Sequence, residues 1–198
     1  VARSAGRRGR CGMDAELRVA RPALHFREEP PVSGDAGSGA IFFSGCPLGC
    51  VFCQNHEISS GGFGLVVTTA RLAEMMLELQ AAGALNVNLV TPLHFAPHVR
   101  EAVLLARDAG LGIPVVCNTS GYERAEVVRE LADVVDAWLT DFKYASPALA
   151  GELSGAPDYP EGAPEAPLAL VEGVRARGGS APGGDGGSAR GVTRIRRT

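Results

Sequence analysis

Three cysteines crowd into one short stretch of the chain, directly after an apolar run. Cys46, Cys50 and Cys53 lie in Gly45-Cys-Pro-Leu-Gly-Cys-Val-Phe-Cys-Gln-Asn55, a C-x3-C-x2-C spacing. Thiolates are soft metal ligands, and short spacings let one loop wrap around a single metal centre. A closed structural site needs four protein ligands, whereas three leave one coordination position open. The motif therefore predicts a loop that holds a metal or an iron–sulfur cluster and leaves a position for a small molecule.

This stretch resembles the signature of radical S-adenosylmethionine (radical SAM) enzymes, including the aromatic Phe52 before the last cysteine. Further segments resemble one branch, the iron–sulfur proteins similar to pyruvate formate-lyase activating enzyme. With residues 41–59, those segments are Asn86 to His94, Pro114 to Tyr122 and Leu139 to Tyr144. The resemblance spreads over residues 10–160.

The resemblance implies a mechanism and two cofactors. A 4Fe–4S cluster held by Cys46, Cys50 and Cys53 would bind the amino and carboxylate groups of S-adenosylmethionine at its open iron. One electron would cleave the sulfonium to methionine and a 5′-deoxyadenosyl radical, which abstracts a hydrogen atom. In activating enzymes that atom comes from a glycine of a partner, so the expected substrate is a glycyl-radical protein. The expected electron donor is a flavodoxin or ferredoxin, and no catalytic side chain is assigned.

The resemblance also implies contacts to S-adenosylmethionine at the strand ends. Phe52 either stacks on the adenine or is a core aromatic. Thr91 begins the segment that stands where most of the superfamily has a Gly-Gly-Glu motif, and its hydroxyl or backbone carbonyls would substitute. Asn118 stands in place of an acidic residue. Asp141 and Lys143, the single lysine of the chain, match an Asp-x-Lys pattern, with a structural ion pair as the alternative.

Other functions remain open from the residues alone. His56 follows Cys53 at a further x2 spacing, so a Cys3His zinc site in a non-catalytic metal-binding module, or a module with a degenerate cluster, is one alternative. An electron-transfer iron–sulfur protein is another, in which Cys117 supplies a fourth thiolate.

Two residues have unassigned roles. Cys11 is either a remnant of a second metal site or a spare surface thiol. His94 is either a polar contact or proton donor, or a histidine held only by a hydrogen bond.

Strands and helices alternate after residue 38, which predicts a parallel sheet with right-handed crossovers. The pattern places strands at 40–43, 86–90, 113–116 and 137–139. It places helices at 70–82, capped by Thr69, from Pro97 to Gly110, and at 123–131. Four such units predict a partial (β/α) barrel that is incomplete at the C-terminus.

The predicted organisation has three parts. Residues 1–38 are expected to be irregular, residues 39–160 to form the radical SAM core, and residues 161–198 to form a disordered tail rich in glycine and arginine. A basic interaction tail is the alternative for the last part. The family resemblance makes the chain look truncated at both ends.

The composition of the chain argues against several classes of function and location. A net charge of −3 offers no electrostatic basis for binding nucleic acid or an anionic membrane. No apolar run approaches the roughly 18 residues that span a bilayer. The arginine-rich N-terminus lacks the apolar region of a signal peptide. We therefore expect a cytoplasmic protein whose thiols stay reduced.

Overall fold

The computed structural model describes residue 3, residues 6–162 and the backbone of residues 192–197. Its sheet has the strand order β3-β1-β2-β4-β5-β6-β7. The strands are β1 Arg18–His25, β2 Ser38–Phe43, β3 Leu65–Val66, β4 Val87–Val90, β5 Val115–Thr119, β6 Ala137–Phe142 and β7 Val192–Arg197. The helices are α1 Pro30–Ser33, α2 His56–Ser59, α3 Thr69–Ala81, α4 Ala96–Asp108, α5 Ala125–Leu131, α6 Pro147–Ser154 and α7 Tyr159–Gly162, with a short 3-10 helix over Leu93–Phe95.

The parallel part of the sheet confirms the predicted fold class. β2, β4, β5, β6 and β7 pair in parallel in that order, and α3, α4 and α5 cross between strands β2 to β6. Every residue of β5 is buried, as is expected of a strand covered on both faces. The arrangement is a partial (β/α) barrel.

The sequence had predicted an irregular N-terminal segment, but the structure has a strand, β1, within it. β1 pairs antiparallel with β2 along its length and with β3 only at Arg18 and Val19. Pro22 argues against a strand in the sequence, but proline is accepted on an edge strand. It lies beyond the stretch that β3 pairs, so β1 has a neighbouring strand on only one side at this residue.

α3 begins one residue earlier than expected. Its N-cap is Thr68, whose hydroxyl accepts a hydrogen bond from the backbone N–H of Arg71 at 3.1 Å. Thr69 is the first helical residue. The predicted inner face is correct, because Leu72, Met75, Met76 and Leu79 are buried.

Alternate residues of the strands face opposite sides of the sheet. Leu89, Cys117 and Trp138 belong to the main core, which packs against α3 and α4. Val116 and Leu139 belong to a separate cluster on the other face, toward the barrel interior. Side chains on the same face of the sheet as Val116 and Leu139 are therefore the ones available to a ligand inside the barrel.

Most of the predicted tail, residues 163–191, lies outside the described residues. At 161–162 the chain is still in α7, and at 192–197 the backbone forms β7 beside β6. A strand there was not expected, although the β-branched Val192, Thr193 and Ile195 favour one. In the described part of the chain, no helix is long and apolar enough to cross a membrane.

Candidate metal centre

The cysteine loop follows the last residue of β2 and leads into α2. Cys46, Cys50 and Cys53 are free thiols of intermediate exposure. In a parallel sheet, the loops that follow the strands meet at one edge. The fold therefore brings the three thiols to the same edge as the segments after β4, β5 and β6, where the other predicted site residues lie.

The C-terminal end of α6 holds the middle of this loop. Gly49 N donates to Ser154 O at 3.0 Å, and Val51 N donates to Leu153 O at 2.9 Å. Ser154 Oγ also donates to Cys50 Sγ at 2.9 Å. Because the last carbonyls of a helix have no partner within the helix, the loop satisfies them and is itself held in place.

The N-terminal segment packs against the start of the loop. Gly45 has φ 86°, and a Cβ there would lie 2.4 Å from Met13 Cγ and 2.6 Å from Cys11 O. Arg10 Nε donates to Pro47 O at 3.1 Å. Cys11 is only 7% exposed, so it is not the surface thiol that was one of the alternatives.

The chemistry of the donor set fits an iron–sulfur cluster. Burial raises the pKa of the Cys46 thiol to about 12, against a hydrogen bond from the Leu48 backbone that lowers it. A buried thiol of this kind stays protonated until a metal cation takes the place of the proton. Cys53 Sγ lies 3.3 Å from Ser59 Oγ, so two of the three sulfurs have hydroxyl partners of the kind that support metal ligands.

The other candidate ligands differ from the loop thiols in their surroundings. His56, of the zinc alternative, is an exposed residue at the start of α2. Cys117 is fully buried in the main core, whereas Cys46 and Cys50 pack against the cluster around Tyr144 and Tyr159. Within the described residues, no three His, Cys, Asp or Glu side chains converge as a ready-made set of ligands.

A cavity of about 150 Å³ lies between the cysteine loop and the segments after β4 and β5. It is lined by Pro47, Thr91, Leu93, His94, Tyr122, Glu123, Arg124 and Val127. Pockets that enclose a drug-sized ligand measure about 300–1,000 Å³. The cavity is therefore large enough to enclose only part of a nucleoside-sized ligand.

Thr91 has a strained backbone at this cavity. Among the described residues it is the one non-glycine with a positive φ, at 56°. For a β-branched residue this conformation is an outlier that costs on the order of 1–3 kcal/mol. Its N–H donates to Asn118 O at 2.9 Å, which ties the end of β4 to β5. Strain of this kind collects at ligand sites.

His94 is held in the neutral form. Its Nε2 lies 2.7 Å from Ser44 O, so this nitrogen donates and Nδ1 is the acceptor. Burial lowers the pKa of His94 to about 4. Nδ1 is buried and has no hydrogen-bond partner. A neutral imidazole here offers an acceptor and cannot donate a proton near pH 7.

Asp141 and Lys143 form the ion pair that was the structural alternative for them. Lys143 Nζ lies 2.7 Å from Asp141 Oδ2, and their side chains are 15% and 11% exposed. Asp141 is two residues from Leu139, so both face the barrel interior. Asn118 is 8% exposed, and its Nδ2 lies 3.5 Å from Glu28 Oε1. The structure thus places these three polar residues at the ends of neighbouring strands.

Phe52 is not a core aromatic. Its side chain is 53% exposed, and that of the adjacent Val51 is 73% exposed. One of the two interpretations of Phe52 is therefore excluded, and an exposed ring on the cysteine loop is available to stack on a base.

Two residues of the site, Tyr159 and Glu123, were not identified from the sequence. Tyr159 accepts from Lys143 N at 3.0 Å and donates to Ser120 O at 2.8 Å, which joins the ends of β6 and β5. Gly121 is required there, because a Cβ would lie 2.1 Å from Asp141 O. Burial raises the pKa of Glu123 to about 7, against hydrogen bonds from Ser120. The contacts of Tyr159 and Gly121 join segments distant along the chain, so no local pattern predicts them, whereas Ser120 and Glu123 are three residues apart.

Comparison with known proteins supports the interpretation of the loop. Residues 40–179 match the family described as the Radical SAM superfamily. An uncharacterized protein of Methanocaldococcus jannaschii is 33% identical over 144 residues, which make up 69% of this chain and 41% of that protein. The chain thus spans about two fifths of the length of the curated relative that it matches.

Proposed function

The chain belongs to the Radical SAM superfamily, and from that premise we propose that it cleaves S-adenosylmethionine reductively in the manner of glycyl-radical activating enzymes. Membership of the superfamily implies a 4Fe–4S cluster and S-adenosylmethionine. When bound, the cluster supplies the electron that divides S-adenosylmethionine into methionine and a 5′-deoxyadenosyl radical. The observation that carries the proposal is the loop of three half-buried thiols at the carboxyl edge of a parallel sheet.

The three cysteines hold the cluster. They come from one loop, and two of their sulfurs have hydroxyl partners in Ser154 and Ser59. The loop is fixed by α6 on one side and by the N-terminal segment on the other. This double support would keep the three thiols in place as ligands of a bound cluster.

The remaining residues bind S-adenosylmethionine. Phe52 supplies an exposed ring that stacks on the adenine. Thr91 contributes its strained backbone at the cavity, where the usual Gly-Gly-Glu motif is absent. Asn118, Asp141 and Lys143 present polar groups at the ends of β5 and β6, where they contact the same ligand.

The partner is a protein that carries a glycyl radical, and the electron donor is a flavodoxin or ferredoxin. The support is the resemblance of the four sequence segments to activating enzymes. The exposed Val51 offers this partner an apolar contact on the cysteine loop.

The experiment that tests the proposal is anaerobic reconstitution with iron and sulfide. We expect Cys50→Ala to abolish cluster assembly and Cys11→Ala to leave it unchanged, because Cys11 is in the N-terminal segment and outside the ligand loop. Iron and sulfide per chain are measured for both variants. Equal iron loading of wild type and Cys50→Ala would contradict the assignment, and a colourless protein that takes up zinc would favour the structural site.

A further inference from the structure

A buried chain of hydrogen bonds leads from Tyr144 through Ser154 to the sulfur of Cys50. Ser154 Oγ donates to Cys50 Sγ at 2.9 Å, and the Tyr144 hydroxyl lies 2.5 Å from Ser154 Oγ. Ser154 is 2% exposed and Tyr144 is 7% exposed. Both hydroxyls are therefore shielded from water, whereas Cys50 itself is of intermediate exposure.

The direction of the chain follows from the count of protons. A hydroxyl carries one proton, and a thiolate ligand carries none. The Ser154 hydroxyl therefore donates its hydrogen bond to Cys50, and Tyr144 must be the donor to Ser154. Hydrogen bonds in such a sequence polarise one another, so the bond at the sulfur is stronger than that of an isolated serine.

Cys50 differs from the other two loop thiols in its hydrogen-bond partners. Cys46 has a backbone hydrogen bond at Leu48, and Cys53 faces Ser59 at 3.3 Å. Ser154 also accepts from Gly49 N through its carbonyl. One residue of α6 therefore holds both the backbone before Cys50 and its sulfur.

We propose that Tyr144 and Ser154 are positioning residues that orient Cys50 and raise the reduction potential of the cluster. The inference rests on the proposed function, since it requires Cys50 to be a cluster ligand. Hydrogen bonds to cluster sulfurs help to set the potential. A donor aimed at the sulfur stabilises the reduced state more than the oxidised state, because the reduced state carries more negative charge.

The test is redox titration, followed by electron paramagnetic resonance, of four reconstituted proteins: wild type, Ser154→Ala, Tyr144→Phe and Ser146→Ala. Ser146 is the matched control, because its hydroxyl caps the opposite end of α6 by accepting a hydrogen bond from Leu149 N. We expect the midpoint potential to become more negative in Ser154→Ala. We expect a smaller shift of the same sign in Tyr144→Phe and none in Ser146→Ala.

The outcomes separate this inference from the proposed function. Iron-loaded Ser154→Ala and Tyr144→Phe proteins with the wild-type potential would overturn the inference and leave the proposed function standing. A wild-type protein that takes up no iron would remove both. Should Ser154→Ala fail to fold, Tyr144→Phe carries the test, because it keeps the ring that packs edge-on against Tyr159 at 5.5 Å.

Discussion

The ion pair of Asp141 and Lys143 holds two opposite charges beside each other in the barrel interior. We expect Lys143→Met to weaken S-adenosylmethionine binding tenfold to hundredfold, because a hydrogen bond to a charged group is worth about 1.5–3 kcal/mol. Iron content should not change. Calorimetric titration of the reconstituted protein measures the affinity.

The stability of this variant needs its own control. The Lys143→Met change takes the partner at 2.7 Å away from the buried Asp141 carboxylate, and breaking a buried ion pair costs about 3–5 kcal/mol. The double variant Asp141→Asn/Lys143→Met removes both charges, so neither charge of the pair is left buried without the other. Binding of S-adenosylmethionine at wild-type affinity by the single variant would show that the pair is only structural.

His94 gives a second prediction at this scale, on stability against pH. Burial, with Arg3 nearby, lowers its folded pKa to about 4 from the ordinary 6.5. Between these values the unfolded chain binds a proton that the folded chain does not. The free energy of unfolding therefore falls as the pH drops from 6.5 to 4, by at most about 3 kcal/mol.

Urea unfolding of wild type and His94→Gln across this pH range measures the difference. The variant cannot titrate at this position, so its free energy of unfolding should be less steep in pH than that of wild type. Parallel curves for the two proteins would show that His94 does not carry the effect.

The sequence predicted the loop of three cysteines but not the residues that hold the loop in place. Cys46, Cys50 and Cys53 are close along the chain, so their spacing alone predicted the loop. Ser154 and Tyr159 act through hydrogen bonds to residues far along the chain. A serine or tyrosine in a helix carries no local signal of such a contact, and only the packing of α6 and α7 reveals it.

Among the elements, α3 offers a test of a single cap. Thr68, not Thr69, accepts the hydrogen bond from Arg71 N. We expect Thr68→Ala to lower the free energy of unfolding by about 1 kcal/mol, whereas Thr69→Ala should change it much less. Urea unfolding of the two variants decides between them, and a larger loss in Thr69→Ala would place the cap where the sequence had suggested.

The sequence predicted best the strands and helices of the parallel part of the sheet, because each strand–helix unit repeats the pattern of the one before it. The helices α3 and α4 have clear apolar faces, and β4, β5 and β6 follow them at regular intervals. β1 was missed because Pro22 interrupts it, and its place at the sheet edge depends on β2 and β3. Edge strands are defined by their partners, which local pattern does not contain.

At the scale of the whole molecule, the main core cluster joins the sheet to α3, α4 and α5. Trp138, the single tryptophan, is 1% exposed within it. We expect the unfolding transitions followed by tryptophan fluorescence and by far-ultraviolet circular dichroism to coincide in urea. Two separate midpoints would mean that the sheet and its helices do not unfold as one unit.

The most direct test of the central claim is electron paramagnetic resonance of the reconstituted, reduced protein with and without S-adenosylmethionine, with 5′-deoxyadenosine measured in the same sample. We predict a reduced-cluster signal that changes when S-adenosylmethionine is added, together with formation of 5′-deoxyadenosine. A cluster signal that does not respond, with no 5′-deoxyadenosine formed, would contradict the account.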